Sequence, residues 1–119
     1  MKDFRTLKVW EKSHTLVLAI YKVTQDFPKN ELYGLTSQIQ RAAVSVPTNI
    51  AEGCGKDSDA ELGRYLKIAM GSSSELEYLL MLIHDLNYLT GNQYNQLQDN
   101  LVEVRKMLNA FIQKLKAKR

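Results

Sequence analysis

A chain of 119 residues, 45% apolar and 24% charged, has material for one hydrophobic core and reads as one domain, residues 1–119, without staples. Its single cysteine, Cys54, excludes an intramolecular disulfide, and two prolines with six glycines leave little for linkers. Sixteen basic against thirteen acidic residues give a net charge of +3, a weak lean towards anionic partners.

The opening MKDFRTLKVWEK has no apolar h-region, so no secretory signal is expected. Apolar runs such as Leu79 to Ile83 fall far short of the roughly 20 residues of a membrane span. The expectation is a cytoplasmic protein without a membrane partner. Four helices fit the periodicity. The first spans about Leu7 to Asp26, with Thr6 as a possible N-cap and Pro28 past its end. One stripe holds Leu7, Trp10, His14, Val17 and Tyr21; a second holds Leu16, Ile20, Val23 and Phe27. The second helix starts near Thr36, after Gly34, and ends near Gly53 or Gly55. Pro47 inside it removes the hydrogen bond to the Ala43 carbonyl, which predicts a kink.

Ser58-Asp-Ala-Glu61 reads as a capping box for a third helix running to about Tyr88, the longest of the four. Its seam is read as Leu62, Tyr65, Ala69, Ser72, Leu76, Leu79, Ile83 and Leu86, with Gly71 and three serines narrowing the middle. Thr90-Gly-Asn-Gln93 opens the fourth helix, where Tyr94, Leu97, Leu101, Val104, Leu108, Phe111 and Leu115 keep heptad spacing. Short connections make neighbours antiparallel, so the predicted fold is an all-α, up-down-up-down four-helix bundle. Leu66, Met70, Tyr78, Met81 and Leu82 exceed the seam of the third helix and mark a candidate subunit interface.

On the second helix Gln38, Arg41, Ser45, Asn49 and Glu52 stack beside Leu35, Ile39, Ala42, Val46 and Ile50. With Ser72 and Glu75 of the third helix they form a candidate structural polar seam. Antiparallel register sets Arg41 opposite about residue 73, which predicts an Arg41–Glu75 ion pair and leaves Glu77 facing water or a subunit rim.

Catalytic chemistry finds no foothold. A di-iron bundle needs two Glu-x-x-His motifs, and Glu11-Lys-Ser-His14 is matched by nothing at His84, where Met81 stands three residues before. Gly53-Cys-Gly55-Lys56-Asp57 lacks the first glycine and the Ser or Thr of a phosphate loop, and no strand precedes it; its glycines read as helix termination and a turn. Cys54 has no neighbouring base. No catalytic, cofactor-binding or metal-binding residue is assigned, and no enzymatic activity is expected. In an up-down-up-down bundle both termini share one end, where Lys2, Arg5, Lys8, Lys12, Lys114, Lys116, Lys118 and Arg119 gather. Set against Asp3 and Glu11, and with Lys56 and Arg64 facing four acids in the turn between the second and third helices, they leave that end about four positive charges in excess. Such a surface is a candidate for RNA or DNA backbones, with poor sequence specificity.

Phe4 to Trp10, the run FPKNELYGLTSQIQRAAVSVPTNIAEG and the GSSSELE run resemble, over nearly the whole chain, the four-helix-bundle proteins encoded by intervening sequences in 23S ribosomal RNA genes. More distantly the chain is similar to the accessory protein of diversity-generating retroelements, a pentameric bundle that binds nucleic acid and a reverse transcriptase. The resemblance implies a bundle and a ring-shaped homo-oligomer, a pentamer by similarity, with no catalytic motif to carry over. The expected function is therefore a non-enzymatic accessory or scaffolding oligomer on nucleic acid. The alternative is an adaptor that docks a partner enzyme without nucleic acid.

Overall fold

The computed structural model describes residues 2–118. Helices α1 (Lys8–Thr24), α2 (Ser37–Cys54), α3 (Asp59–Asp85) and α4 (Gly91–Ala117) form an all-α four-helix bundle about 46 Å long, and no strand occurs among the described residues. Each helix packs on its neighbour in the chain, and α4 closes the bundle against α1. The α2–α3 pair has the most extensive contact. Helices α3 and α4 are equal in length at 27 residues each, so the third is not the longest.

Local chemistry sets the boundaries. Asp3, rather than Thr6, caps a first 3-10 turn, Phe4–Thr6, and α1 begins after Leu7 without a side-chain cap. The α1–α2 connection combines a 3-10 turn, Lys29–Glu31, with a wide π-turn, Leu32–Thr36, in which Gly34 takes a non-helical conformation (φ −110°, ψ −112°). Glu31 staples this connection: its carboxylate accepts from the Leu35 amide, and from the Tyr88 hydroxyl at 2.9 Å across the bundle end. Helix α2 runs unbroken through Pro47. Helix α3 starts at the Ser58 cap but stops before Tyr88. Tyr88 N–H donates to the Ile83 carbonyl and Asn87 N–H to that of His84, a Schellman motif with Asn87 left-handed at φ 64°. Asparagine tolerates that conformation better than other non-glycine residues. Thr90 and Gln93 complete a reciprocal capping box for α4.

The core divides into two apolar halves. One, around Leu16, Ile20, Ile39, Leu76, Leu80, Ile83 and Leu101, lies towards the α1–α2 and α3–α4 connections. The other, around Val9, Val46, Ile50, Leu62, Leu66, Val104 and Leu108, lies towards the chain termini. Between them each of three helices places serine: Ser13 on α1, Ser45 on α2, Ser72 and Ser73 on α3. Their hydroxyls are satisfied locally. Ser13 donates to the Trp10 carbonyl, Ser73 to that of Met70, and Ser45 and Ser72 bond each other at 2.7 Å. Gly71 does not narrow this waist, because a Cβ there would meet open space.

The buried row of α3 is Leu62, Leu66, Ala69, Ser73, Leu76, Leu80 and Ile83, accompanied by Leu79. Leu66 is therefore corrected from interface to core. The expected steps hold for Leu62, Ala69, Leu76, Leu79 and Ile83, whereas Tyr65 and Ser72 are only half-buried, Leu86 is exposed, and Leu66, Ser73 and Leu80 supply the companion row at heptad spacing. In α1, His14 and Tyr21 are exposed, and Ser13 and Thr24 take buried places beside Leu16 and Ile20.

The Arg41–Glu75 ion pair is not formed: both residues are exposed and neither joins an ion pair among the described residues. At about 100° per residue Arg41 lies roughly 200° around α2 from Ile39, the outer side of the helix. The bridge forms one layer away instead. Arg105 of α4 donates Nη1 to Glu77 at 3.1 Å and Nη2 to the Ser74 hydroxyl at 3.0 Å, so Glu77 does not face water alone. Glu77→Ala should cost about 0.5–1 kcal/mol in urea denaturation, whereas Glu75→Ala should stay within about 0.5 kcal/mol of the parent. Equal effects of the two substitutions would contradict this pairing.

Candidate functional site

The terminal end of the bundle is assembled by a short arm folded back on the helices. The Lys2 amide donates to the Cys54 carbonyl at 2.8 Å, tying the arm to the last turn of α2. Phe4 then packs on Trp10, with ring centroids 4.9 Å apart, and Trp10 stacks on His14 at 5.0 Å. Burial pushes the Cys54 thiol above its ordinary value, although the nearby Lys2 pulls in the other direction.

The eight basic residues assigned to this end divide into two groups. Arg5 is countered by Asp3, whose carboxylate accepts from its side chain and its amide at 3.0 Å each. Those hydrogen bonds hold the Asp3 carboxyl below its usual range. Lys12 bridges α1 to α4 through Glu103 at 3.2 Å. By contrast Lys2, Lys8, Lys114, Lys116 and Lys118 are all exposed and join no ion pair among the described residues. Arg119 lies outside the described residues. In the adjoining turn Arg64 pairs with Glu61 at 2.9 Å, and Lys56 lies over the Tyr65 ring at 5.3 Å.

Four of the five unpaired lysines surround one cleft. Its floor and walls are Leu7, Val9, Met107, Ala110, Phe111 and Leu115; its rim is Lys2, Lys8, Lys114 and Lys118, and its volume is about 420 Å³. Among the described residues no acidic side chain lines it. The cleft arises because α1 begins only at Lys8, so the last turns of α4 have no full-length neighbour on that side. Phe111 is left half-buried there, and Ile112 takes the core position that the heptad assigned to Phe111. The signal was present in the sequence: Met107, Phe111, Lys114 and Lys118 share one helical stripe, so an aromatic ring and two ammonium groups line up. Lysines in a last helical turn also complement the helix dipole, a role that needs no ligand.

The polar seam is formed at its centre only. Asn49 donates to the Ser45 carbonyl at 2.8 Å and hydroxyl at 3.0 Å, and Ser45 meets Ser72; Gln38 and Glu52 are exposed beside the outward Arg41. Of the interface candidates, Tyr78 and Met81 are exposed at 55% and 45%, while Met70 and Leu82 are half-buried. Additional exposed apolar side chains stand at Leu18, Tyr21 and Tyr33. His14 lies against Trp10 and His84 stacks on Tyr94 at 4.2 Å, so each histidine is held by an aromatic ring. Among the described residues no three His, Cys, Asp or Glu side chains are grouped to hold a metal ion, and no helix is long and apolar enough to cross a membrane.

Comparison with known proteins agrees with this architecture. Residues 5–110 match a family model described as 23S rRNA-intervening sequence protein. Among solved structures the chain is similar to a protein of unknown function from the S23 ribosomal protein family of Bacteroides thetaiotaomicron, at 27% identity and a TM-score of 0.82. That match covers 88% of this chain and 95% of the other. No curated protein matches the chain.

Proposed function

We propose, from the premise that this chain belongs to the family of 23S rRNA-intervening sequence proteins, that it is a non-enzymatic accessory protein. On this reading it self-associates and holds RNA or DNA by the phosphate backbone. The observation that carries the reading is the concentration of Lys2, Lys8, Lys114, Lys116 and Lys118 at one end, with no ion pair among the described residues. Ammonium groups without fixed counter-charges displace condensed cations from a phosphate backbone, and that release drives sequence-independent binding.

Removing charge at Lys114, Lys116 and Lys118 by substitution with Gln should weaken binding to any strand about equally. It should also flatten the dependence of log affinity on log salt by roughly 0.7–0.9 for each phosphate that is no longer neutralised. No binding by the parent protein at ~50 mM salt would refute the reading and leave the fold untouched.

Self-association rests on Tyr78 and Met81, large apolar groups left in water on the outer side of α3. Tyr78→Lys combined with Met81→Glu should yield monomers in light scattering, with helicity retained. A parent protein that is already monomeric at micromolar concentration removes this part of the proposal. A ring of five, by similarity to the retroelement accessory protein, would multiply the positive field of the lysine end. The alternative, an adaptor for a partner enzyme, draws on the exposed Leu18, Tyr21 and Tyr33. It differs in salt response, since apolar docking does not fall steeply as salt rises.

A further inference from the structure

Beyond the phosphate contacts, the terminal cleft joins two kinds of surface. Its rim carries Lys2, Lys8, Lys114 and Lys118, and its floor presents Phe111 and Met107, with no acidic side chain in the lining among the described residues. We infer that this cleft seats an unstacked nucleobase while the rim lysines hold the flanking phosphates, which makes the protein selective for single-stranded nucleic acid over duplex. The inference rests on the nucleic-acid reading and narrows it to one class of ligand.

Complementarity selects that class. A purely phosphate-binding surface has no use for an apolar floor, and a purely apolar dock has no use for four cations around it. A ligand satisfying both must carry several negative charges with a flat apolar face between them. A single-headed amphiphile such as a fatty acid would engage one or two of the lysines and leave the others without a counter-charge. A nucleotide within a strand has a phosphate on each side of its base, which matches cations placed on both sides of the cleft. The cleft, at about 420 Å³, has room for a base and its sugar.

In a duplex the base faces are already stacked, so reaching the floor requires extrusion. In a single strand the same step costs least. Stacking on an aromatic ring tolerates any base, because every base has a π-face. Among the described residues lysines are the only polar side chains lining the cleft, and with their flexible ammonium groups engaged by the phosphates no fixed pattern of donors and acceptors is left to read a base edge. The expected behaviour is strand selectivity without sequence selectivity, and purines should bind somewhat more tightly than pyrimidines through their larger stacking area.

The test is fluorescence anisotropy with the full chain at ~50 mM salt, comparing a labelled single strand of about 20 nucleotides with a blunt duplex of the same length. The expected result is single-strand binding at least about tenfold tighter than duplex binding, with Phe111→Leu lowering single-strand affinity about five- to tenfold and leaving duplex affinity unchanged. Leucine keeps apolar volume at the cleft, and circular dichroism melting checks that the bundle is intact. Independently of any variant, 2-aminopurine in the strand should brighten on saturation with the parent protein as a base leaves its neighbours.

Equal affinity for strand and duplex, or unchanged 2-aminopurine emission, overturns the inference while the backbone-binding reading stands. Absence of binding to either form overturns both. Phe111-dependent binding of decanoate without binding of the strand assigns the cleft to a single-headed anion and overturns both as well.

Discussion

Leu66→Ala is expected to lower the unfolding free energy by about 2–5 kcal/mol, the range for truncating a leucine that cannot be refilled by its surroundings. Leu66 is fully buried, in the half-core that also holds Leu62, Ala69, Val104 and Leu108. Those neighbours come from two helices that are fixed along their length, so the void can close only in part. In urea the midpoint should fall with little change in slope. The comparison must be made at one protein concentration, because assembly would itself contribute to apparent stability. A drop below about 1 kcal/mol would contradict the placement of Leu66 in the core.

The second large effect is expected at Gly53. A Cβ built there would stand 2.9 Å from Leu62 Cδ1, 2.9 Å from Tyr65 Cβ and 3.3 Å from the Leu62 carbonyl oxygen. The leucine tip can move, but the tyrosine Cβ and the carbonyl are fixed to the α3 backbone. Gly53→Val should therefore cost about 3 kcal/mol or more, at the upper end of overpacking effects. Gly53→Ala should fall between this variant and the parent, because the clash opposes a gain in helix propensity of roughly 1 kcal/mol. Gly71→Ala is the control. With open space around its Cβ it should be neutral or stabilise by up to about 1 kcal/mol. If Gly53→Val melts at the temperature of the parent, the close approach of α2 to α3 is wrong.

Gly53 also shows where the sequence speaks and where it stops. The helix-starting signals at Ser58 and Thr90 and the apolar periodicity place all four helices, because those signals act over one or two turns. By sequence Gly53 reads as part of a helix stop, a role that belongs to Gly55; its own role is contact with a helix whose register no local signal sets. The outward turn of Arg41 has a related cause. Spacing in steps of three and four gives a stripe, but the side of that stripe facing α3 depends on how α2 is rotated in the bundle. Ser45 and Asn49 fall on that side; Arg41 falls beyond it.

The candidate site was legible as charge and illegible as shape. That the terminal lysines gather at one end follows from antiparallel connectivity, and the N-terminal arm tied to Cys54 puts Lys2 among them. That Lys12 would be countered depended on Glu103 of α4 meeting it in space, whereas the Asp3–Arg5 pair is local to one turn of the arm. The cleft itself appears only once Ile112 is seen to take the core position that heptad spacing gives to Phe111, which turns the ring towards the lysines.

The serine layer between the two half-cores bears on how the bundle opens. Apolar contact is what makes helices unfold together, and here it is interrupted at one level on three helices. Each half can then act as its own cooperative unit in amide hydrogen exchange. A strand bound at the lysine end would slow exchange around Val46, Ile50, Leu62 and Leu108, and leave the amides around Ile20, Ile39, Leu80 and Leu97 exchanging as before. Occupancy would thus be written into the protection of one half of the molecule, with the other half serving as its internal reference.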